Sequence, residues 1–450
     1  MLSAVFHESK NSGVVGKFIL SRCTRPFRPL RPGLSPSKSR IMKQIALYLL
    51  AIVGHLSIMS LLACAVETEN DPFSGQRREV SALAKLVDPP AMRDANLDGS
   101  TDELKAIYFD ALDWQGKPTK VFAWLGVPKT IDGPRPAIVL VHGGGGTAFK
   151  EWVQKWNDRG FAAIGIAVEG QTDARDASNA WRLHDWPGPQ RVGIYGDSEQ
   201  LLKDQWMYHA VADTVLANSL LRSLPQVDPD KIGLMGISWG GVITSTVIGI
   251  DGRFAFAIPT YGCGDLASAE NQYGQALGNN DVYKSVWDPM LRLHQAEMPT
   301  QWLSWPGDQH FPLDNQAACY KKMPGQTMVS LIPGMNHSHA AGWNPPDSYA
   351  FAQSVVESGK PWCRQTDLQA DGTVRVVSFA SEKPLQDALL VSTVDSGITG
   401  SRTWKQTPAS LVQTGGVWQA TATLPAGTTA WFINAHADGC TVSSAYTETE

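Results

Sequence analysis

The sequence predicts an α/β protein, a mostly parallel sheet with helices on both faces, followed by a small C-terminal β-sandwich. Three observations carry this expectation. Pro136–Val141 is a continuous apolar run bounded by turn residues, as a fully buried central strand requires. From there to residue 358, β-type runs alternate with segments of helical spacing, the pattern of strand–helix–strand units. After Trp362-Cys363 the texture changes to short alternating runs between Gly, Pro and Thr turns, which is how a sandwich reads.

Residues 1–65 form an N-terminal extension and signal segment. The first 41 are basic and rich in Pro and Ser; Met42-Lys43 then opens an apolar run from Ile45 to Cys64, ending in Ala63-Cys64-Ala65. A positive start, an apolar middle and a small-residue end describe a secretory signal, with Met42 as its start. Two rival readings stay open. Leu61-Leu62-Ala63-Cys64 resembles a lipoprotein signal that would anchor the chain at Cys64. An uncleaved anchor is disfavoured by His55, Ser57 and Ser60. Export, to periplasm or beyond, is expected either way, with no stable membrane span in the mature chain.

Residues 66–100 read as a polar lead-in with one short helix over Val80–Leu86. The catalytic domain is expected over 101–363. It opens with strands at Leu104–Tyr108 and Val121–Val127, then the central strand. Helical spacing over Ala148–Arg159 precedes a strand at Phe161–Val168 and a Gly/Pro-punctuated excursion over 170–200. Gln205–Ser223 is a helix with Tyr208, Val211, Val215, Leu216 and Leu220 on one face. A strand over Lys231–Met235 and a helix over Val242–Ile250 follow. The alternation continues as strand Phe254–Thr260, insertion 262–298, strand Thr300–Trp305, helix Pro312–Lys322, strand Thr327–Ile332 and helix Ser348–Ser358. The sandwich, Ig-like, is expected over 367–450, with strands at Val374–Phe379, Ala388–Val394, Val417–Thr423 and Ala430–Ala435.

Charge narrows the function classes. The whole chain carries a net −5, and residues 66–450 carry 29 Lys+Arg against 42 Asp+Glu, or −13. An acidic surface without a basic stripe argues against nucleic acid and anionic membranes as partners. Four cysteines remain in that span, Cys263, Cys319, Cys363 and Cys440. In an exported protein an even count suits one or two disulfides, with three pairings open; buried free thiols are the alternative.

The chemistry is read from Gly236-Ile237-Ser238-Trp239-Gly240-Gly241, which lies between a strand-like and a helix-like run. A serine on so tight a strand-to-helix turn needs small neighbours two positions away on either side. Its hydroxyl also needs a base, and the base an orienting carboxylate. Asp308 directly follows the strand expected at 300–305, and His337 follows that at 327–332. Both therefore sit at carboxyl ends of parallel strands, where open α/β sheets build their sites. Asp314 and Asp265 are weaker candidates for the acid, as are His339 and His310 for the base; His339 is then a support behind the site or a substrate contact. The His310, His337 and His339 spacing matches no metal motif, so no metal or cofactor is expected. Trp239, with Gly144 and Gly145 of the His142-Gly-Gly-Gly-Gly146 run, is expected to present backbone N–H groups to an oxyanion. Trp181 and Trp186 could wall a pocket or stack on sugar, as could Tyr195, Trp287 and Trp343; ordinary core packing is the competing use.

Val141-His-Gly-Gly-Gly-Gly, Gly236-Ile-Ser-Trp-Gly-Gly, Tyr261-Gly-Cys-Gly and His337-Ser-His-Ala-Ala-Gly-Trp343 resemble secreted bacterial members of the α/β-hydrolase superfamily. The similar groups are dienelactone-hydrolase-like proteins, acetylxylan esterases and the prolyl oligopeptidase catalytic domain, over residues 100–362. Departures are visible. Dienelactone hydrolases use cysteine where Ser238 stands. Acetylxylan esterases carry Gln after the nucleophile and an Arg-Gly-Gln motif, where this chain has Trp239 and Glu169-Gly170-Gln171. Prolyl oligopeptidases carry a β-propeller, for which the stretch after Val66 is too short. The resemblance implies a serine hydrolase without cofactor, a carboxylesterase acting on small-molecule or polysaccharide esters, acetylated xylan among them. A serine peptidase of the prolyl oligopeptidase clan and a non-catalytic carbohydrate-binding protein are the alternatives.

Overall fold

Burial of continuous apolar strands positions everything else in the fold. The computed structural model describes residues 71–129 and 133–449; the expected signal, Met42 and Cys64 lie outside them. The described residues open with helix α1 (Ser74–Ser81), extended by a 3-10 turn over Ala82–Lys85, so the lead-in helix starts six residues before Val80. Strand β1 (Met92–Asp94) then pairs antiparallel with β2 (Leu104–Asp110), which pairs with β3 (Lys120–Gly126). Strand β4 (Arg135–Val141) and, after helix α2 (Lys150–Asn157), strand β5 (Ala162–Ile166) are buried almost throughout.

The excursion over 170–200 holds a small hairpin, β6 (Gln171–Arg175) and β7 (Trp181–Leu183). Helix α3 (Trp206–Ser223) is buried on nearly every face, not on one. Its amphipathic spacing is overridden because the lead-in lies across it, the Ser219 hydroxyl donating to Leu86 O at 2.6 Å. Strand β8 (Val227–Ile237), helix α4 (Trp239–Val247) and strand β9 (Phe256–Thr260) follow. The insertion contains α5 (Gln272–Leu277) and a π turn over Tyr283–Trp287. Strand β10 (Thr300–Ser304), helix α6 (Leu313–Lys322), strand β11 (Thr327–Leu331), the short helix α7 (His339–Trp343) and α8 (Pro346–Ser358) close this part.

Across the sheet the order is β1-β2-β3-β5-β4-β8-β9-β10-β11, with β5 through β11 parallel and β3 antiparallel to both neighbours. Helices α3 and α4 pack together on one face; on the other, Trp156 of α2 meets Tyr349 of α8 at 4.6 Å. This is the α/β-hydrolase arrangement.

The remaining strands are β12 (Cys363–Asp371), β13 (Val374–Ser381), β14 (Asp387–Thr393), β15 (Lys405–Thr414), β16 (Val417–Thr423), β17 (Ala430–Ala437), β18 (Cys440–Ser443) and β19 (Thr447–Glu448). Strand β15 turns the corner of a sandwich: Lys405–Ala409 pair with β14, and Ser410–Thr414 with β16. The sandwich is not tethered by a linker. Strand β18 continues the main sheet by pairing with β11, Val329 opposite Ser443, and from Pro72 onward the chain is one compact unit. Asn434 Nδ2 donates to Leu331 O at 2.9 Å, and Ser443 Oγ accepts from Leu331 N at 2.8 Å.

The expected disulfides are not formed. Cys263, Cys319, Cys363 and Cys440 are free and buried. They pack as small apolar groups. Burial pushes the Cys363 thiol up to about 12 and that of Cys440 up to about 11, so both stay protonated. Cys319 Sγ accepts the Gly264 N–H at 3.1 Å.

Candidate active site

Ser238 sits where β8 turns into α4, with φ 58° and ψ −118°, a strained geometry for a residue with a Cβ. The neighbouring glycines are required by contact. A Cβ at Gly236 would lie 2.0 Å from Gly240 O, and one at Gly240 would lie 2.0 Å from Val141 O. The Ser238 N–H donates to Thr260 O at 2.9 Å, which ties the turn to β9.

Asp308 follows β10 and is 1% exposed. Its Oδ1 accepts the N–H groups of His310 at 2.8 Å and Phe311 at 2.9 Å, so the carboxylate is held before it meets anything else. Its Oδ2 lies 2.8 Å from His337 Nδ1, and His337 Nε2 lies 3.1 Å from Ser238 Oγ. With Nδ1 carrying the proton toward Asp308, Nε2 is left to accept from the serine hydroxyl. The imidazole stacks on Tyr261, centroids 4.5 Å apart. The Tyr261 hydroxyl donates to Asn336 O at 2.8 Å, directly before the histidine. The three residues nominated from strand ends thus converge. Asp314 lies in α6, where it reads as a residue of the first turn. His310 is exposed, with its Nδ1 2.9 Å from Gln272 Nε2 and its ring 4.8 Å from His337.

The glycine run after His142 lies against Ser238. A Cβ at Gly143 would sit 2.8 Å from Ser238 Cβ. Gly144 is half-buried; Gly145 is exposed with φ 71°, and its carbonyl accepts from Trp181 Nε1 at 2.8 Å. Trp239, the first residue of α4, presents an amide without an intrahelical acceptor. His142 is buried beneath the run, its Nδ1 meeting Gly143 O at 2.7 Å while Nε2 accepts Val168 N–H at 3.1 Å. Burial pushes its pKa down to about 3, so it is a neutral strut. Gln171 completes the support, donating to Gly146 O at 2.9 Å.

His339 and Trp186 are both engaged by contacts within the fold. His339 Nε2 accepts the Gly143 N–H at 2.9 Å, and its ring lies 4.9 Å from Phe149. It supports the glycine run, and burial, the largest influence, lowers its pKa to about 4. Trp186 lies under the Arg93 guanidinium at 3.9 Å and beside Tyr108 at 5.8 Å; these contacts tie the excursion to β1 and β2. Trp181 does remain at the rim, over Gly145. Sequence reasoning quoted Tyr261 and Gln171 only within motifs, without a role, and missed Arg191. Arg191 lies in the irregular excursion, where no periodicity or spacing marks it.

Residues 69–263 match the family model described as acetyl xylan esterase (AXE1). The uncharacterized peptidase YuxL of Bacillus subtilis is 24% identical over 247 residues, or 50% of this chain and 34% of that protein. The chain therefore spans about a third of the length of that curated relative. Among solved structures, acetyl xylan esterase 1 from Thermoanaerobacterium sp. covers 60% of this chain and 89% of its own at 18% identity and TM-score 0.48. Acetyl xylan esterase from Paenibacillus sp. R4 covers 60% and 90% at 19% identity and TM-score 0.47.

Proposed function

We propose that this member of the α/β-hydrolase superfamily is an exported serine hydrolase of carboxylic esters, acting through an acyl-enzyme on acetyl groups of polysaccharide. The observation that supports the reading is the run of contacts from Ser238 Oγ through the His337 imidazole to Asp308, at 3.1 and 2.8 Å. Ser238 attacks the ester carbonyl as His337 Nε2 takes its proton, and the same proton is returned to the leaving alcohol. Asp308 fixes the tautomer. Trp239 and Gly144 present amides to the oxyanion, a donor of this kind contributing about 3–4 kcal/mol. Water, activated by His337, then releases the acid. Acetyl groups are favoured because residues 69–263 match the acetyl xylan esterase description. Export rests on the signal-like stretch 42–65, with Cys64 as the place of any lipid anchor.

The test is turnover by the purified full chain and its Ser238→Ala variant on p-nitrophenyl acetate, acetylated xylan and an aminoacyl p-nitroanilide. Ser238-dependent acetate release from the first two is expected. Cleavage of the anilide alone would move the assignment to a peptidase, the activity in the name of the Bacillus relative. No Ser238-dependent turnover at all would favour a binding role.

A further inference from the structure

Arg191 approaches the glycine run from the excursion over 170–200. Its Nη1 donates to Gly193 O, and its Nε lies 3.4 Å from Glu169 Oε1. Nη2 is left facing Gly144: a Cβ built there would sit 2.8 Å from Nη2 and 3.1 Å from Trp239 Cδ1. One residue back, the Cβ position of Gly143 is 2.8 Å from Ser238 Cβ. Nη2 therefore lies against Gly144, the residue next to the one that meets Ser238. The guanidinium also lies over the Trp239 indole, Cζ 5.1 Å from the ring centroid, and Trp239 is the residue that offers its amide there.

The side chains of Arg191 and Glu169 are only 20% and 17% exposed. An ion pair so far withdrawn from water is weak evidence for stability, whereas a partly dehydrated cation beside a reacting oxygen acts with little screening. We infer that Arg191 is a third element of the oxyanion site, its Nη2 donating to the carbonyl oxygen as that oxygen becomes negative. The inference rests on the proposed ester chemistry. As the Oγ–carbon bond forms, the serine proton passes to His337 Nε2 and the carbonyl π pair moves to the oxygen. Trp239 N–H, Gly144 N–H and Arg191 Nη2 receive that charge. When the pair returns, the C–O bond to the alcohol breaks and the alcohol takes the proton from His337. Glu169, 3.4 Å from Nε, offsets part of the guanidinium charge.

The experiment compares the full chain with Arg191→Gln, Arg191→Lys and Glu169→Gln. It reads kcat and KM on p-nitrophenyl acetate and the rate of Ser238 phosphonylation by an alkyl fluorophosphonate, whose P=O occupies the same oxyanion position. Arg191→Gln is expected to lower kcat and the phosphonylation rate together by 30- to 300-fold, with KM within threefold. Arg191→Lys recovers at least tenfold, and Glu169→Gln costs at least tenfold less than Arg191→Gln. Equal losses in Arg191→Gln and Glu169→Gln would mark a structural ion pair and overturn the inference. So would a loss confined to KM, or Arg191→Gln within threefold of the parent. If Arg191→Gln fails to fold by circular dichroism, Glu169→Gln/Arg191→Gln, which buries no unpaired charge, replaces it under the same expectations. A chain phosphonylated at Ser238 yet inactive on esters refutes the ester reading and leaves Arg191 judged by phosphonylation; absence of phosphonylation refutes both.

Discussion

Gly400 and Asp308 touch backbone to backbone: a Cβ at Gly400 would lie 2.2 Å from the Asp308 carbonyl oxygen and 2.7 Å from Gln309 N. The neighbouring Thr399, 1% exposed, accepts the Leu313 N–H on its hydroxyl at 2.9 Å. The loop that presents the acid is therefore clamped from the sandwich side. Gly400→Ala should push Asp308 off His337, lowering kcat at least tenfold and stability by about 1–3 kcal/mol. Gly252→Ala, whose added Cβ meets nothing within 4 Å, is the control. Parallel kinetics and denaturant melts check both, and an unchanged kcat in Gly400→Ala would refute the clamp.

Removal of residues 363–450 should leave no soluble enzyme. Strand β11 would lose its neighbour β18, and Ser330 Oγ, which donates to Thr441 O at 2.7 Å, would lose its acceptor. An exposed edge of that length is an aggregation hazard. A soluble truncated chain with parental kcat would show the sandwich to be dispensable.

His339 should act through the glycine run it supports. His339→Ala leaves the Gly143 N–H without its acceptor, and kcat is expected to fall about tenfold, some 1.4 kcal/mol. His339→Gln, whose side-chain oxygen can accept, should restore part of that. A rise in KM at constant kcat would instead mark a substrate contact.

The buried histidines also set an acid limit. His142, His184 and His339 have folded-state pKa values of about 3, 4 and 4, all lowered first by burial. Between these values and the ordinary 6.5 the unfolded chain binds protons that the native state refuses, so stability falls as pH drops from 6.5 toward 4. Asp347, raised by burial to about 6, opposes this, since its native form gains the proton first between pH 6 and 3.8. Glu169, Asp173, Asp213, Asp288 and Asp314, raised first by burial, act with Asp347, while His209 and His310, lowered first by burial, act with the other histidines. The share of one histidine is isolated by its variant: urea melts at pH 7 and pH 4.5 should show His339→Gln losing less stability between the two than the parent.

Tyr261→Phe keeps the ring stacked on His337 but removes the hydrogen bond to Asn336 O. A single neutral hydrogen bond contributes about 1 kcal/mol. Melting should register that loss, with kcat down several-fold as the loop of His337 loosens. A variant as stable and active as the parent would remove Tyr261 from the positioning of the base.

Much of the central sheet was legible because its strands are buried on both faces and read as unbroken apolar runs, as at Ala137–Val141. Ser238, Asp308 and His337 could be nominated because each follows such a strand. What escaped has no local signature. Strand β1 is exposed at every residue, and β15 is exposed over most of its length, so neither shows a period to read. The union of β11 with β18 joins Val329 to Ser443 across more than a hundred residues, and only packing decides it. Arg191 meets the glycine run only through side-chain contacts between separate loops, which residue spacing does not encode. The disulfide expectation failed for a related reason: counting cysteines says nothing of where each thiol is packed.

The join between β11 and β18 has a bearing on biosynthesis. A chain emerging from the ribosome reaches Ser238 and His337 long before residues 399–443, which brace Asp308 and complete the sheet beside β11. Until that last stretch is in place, β11 stands without its neighbour β18 and the Asp308 loop without its contact at Gly400, so the two ends of this half of the sheet are completed together and last.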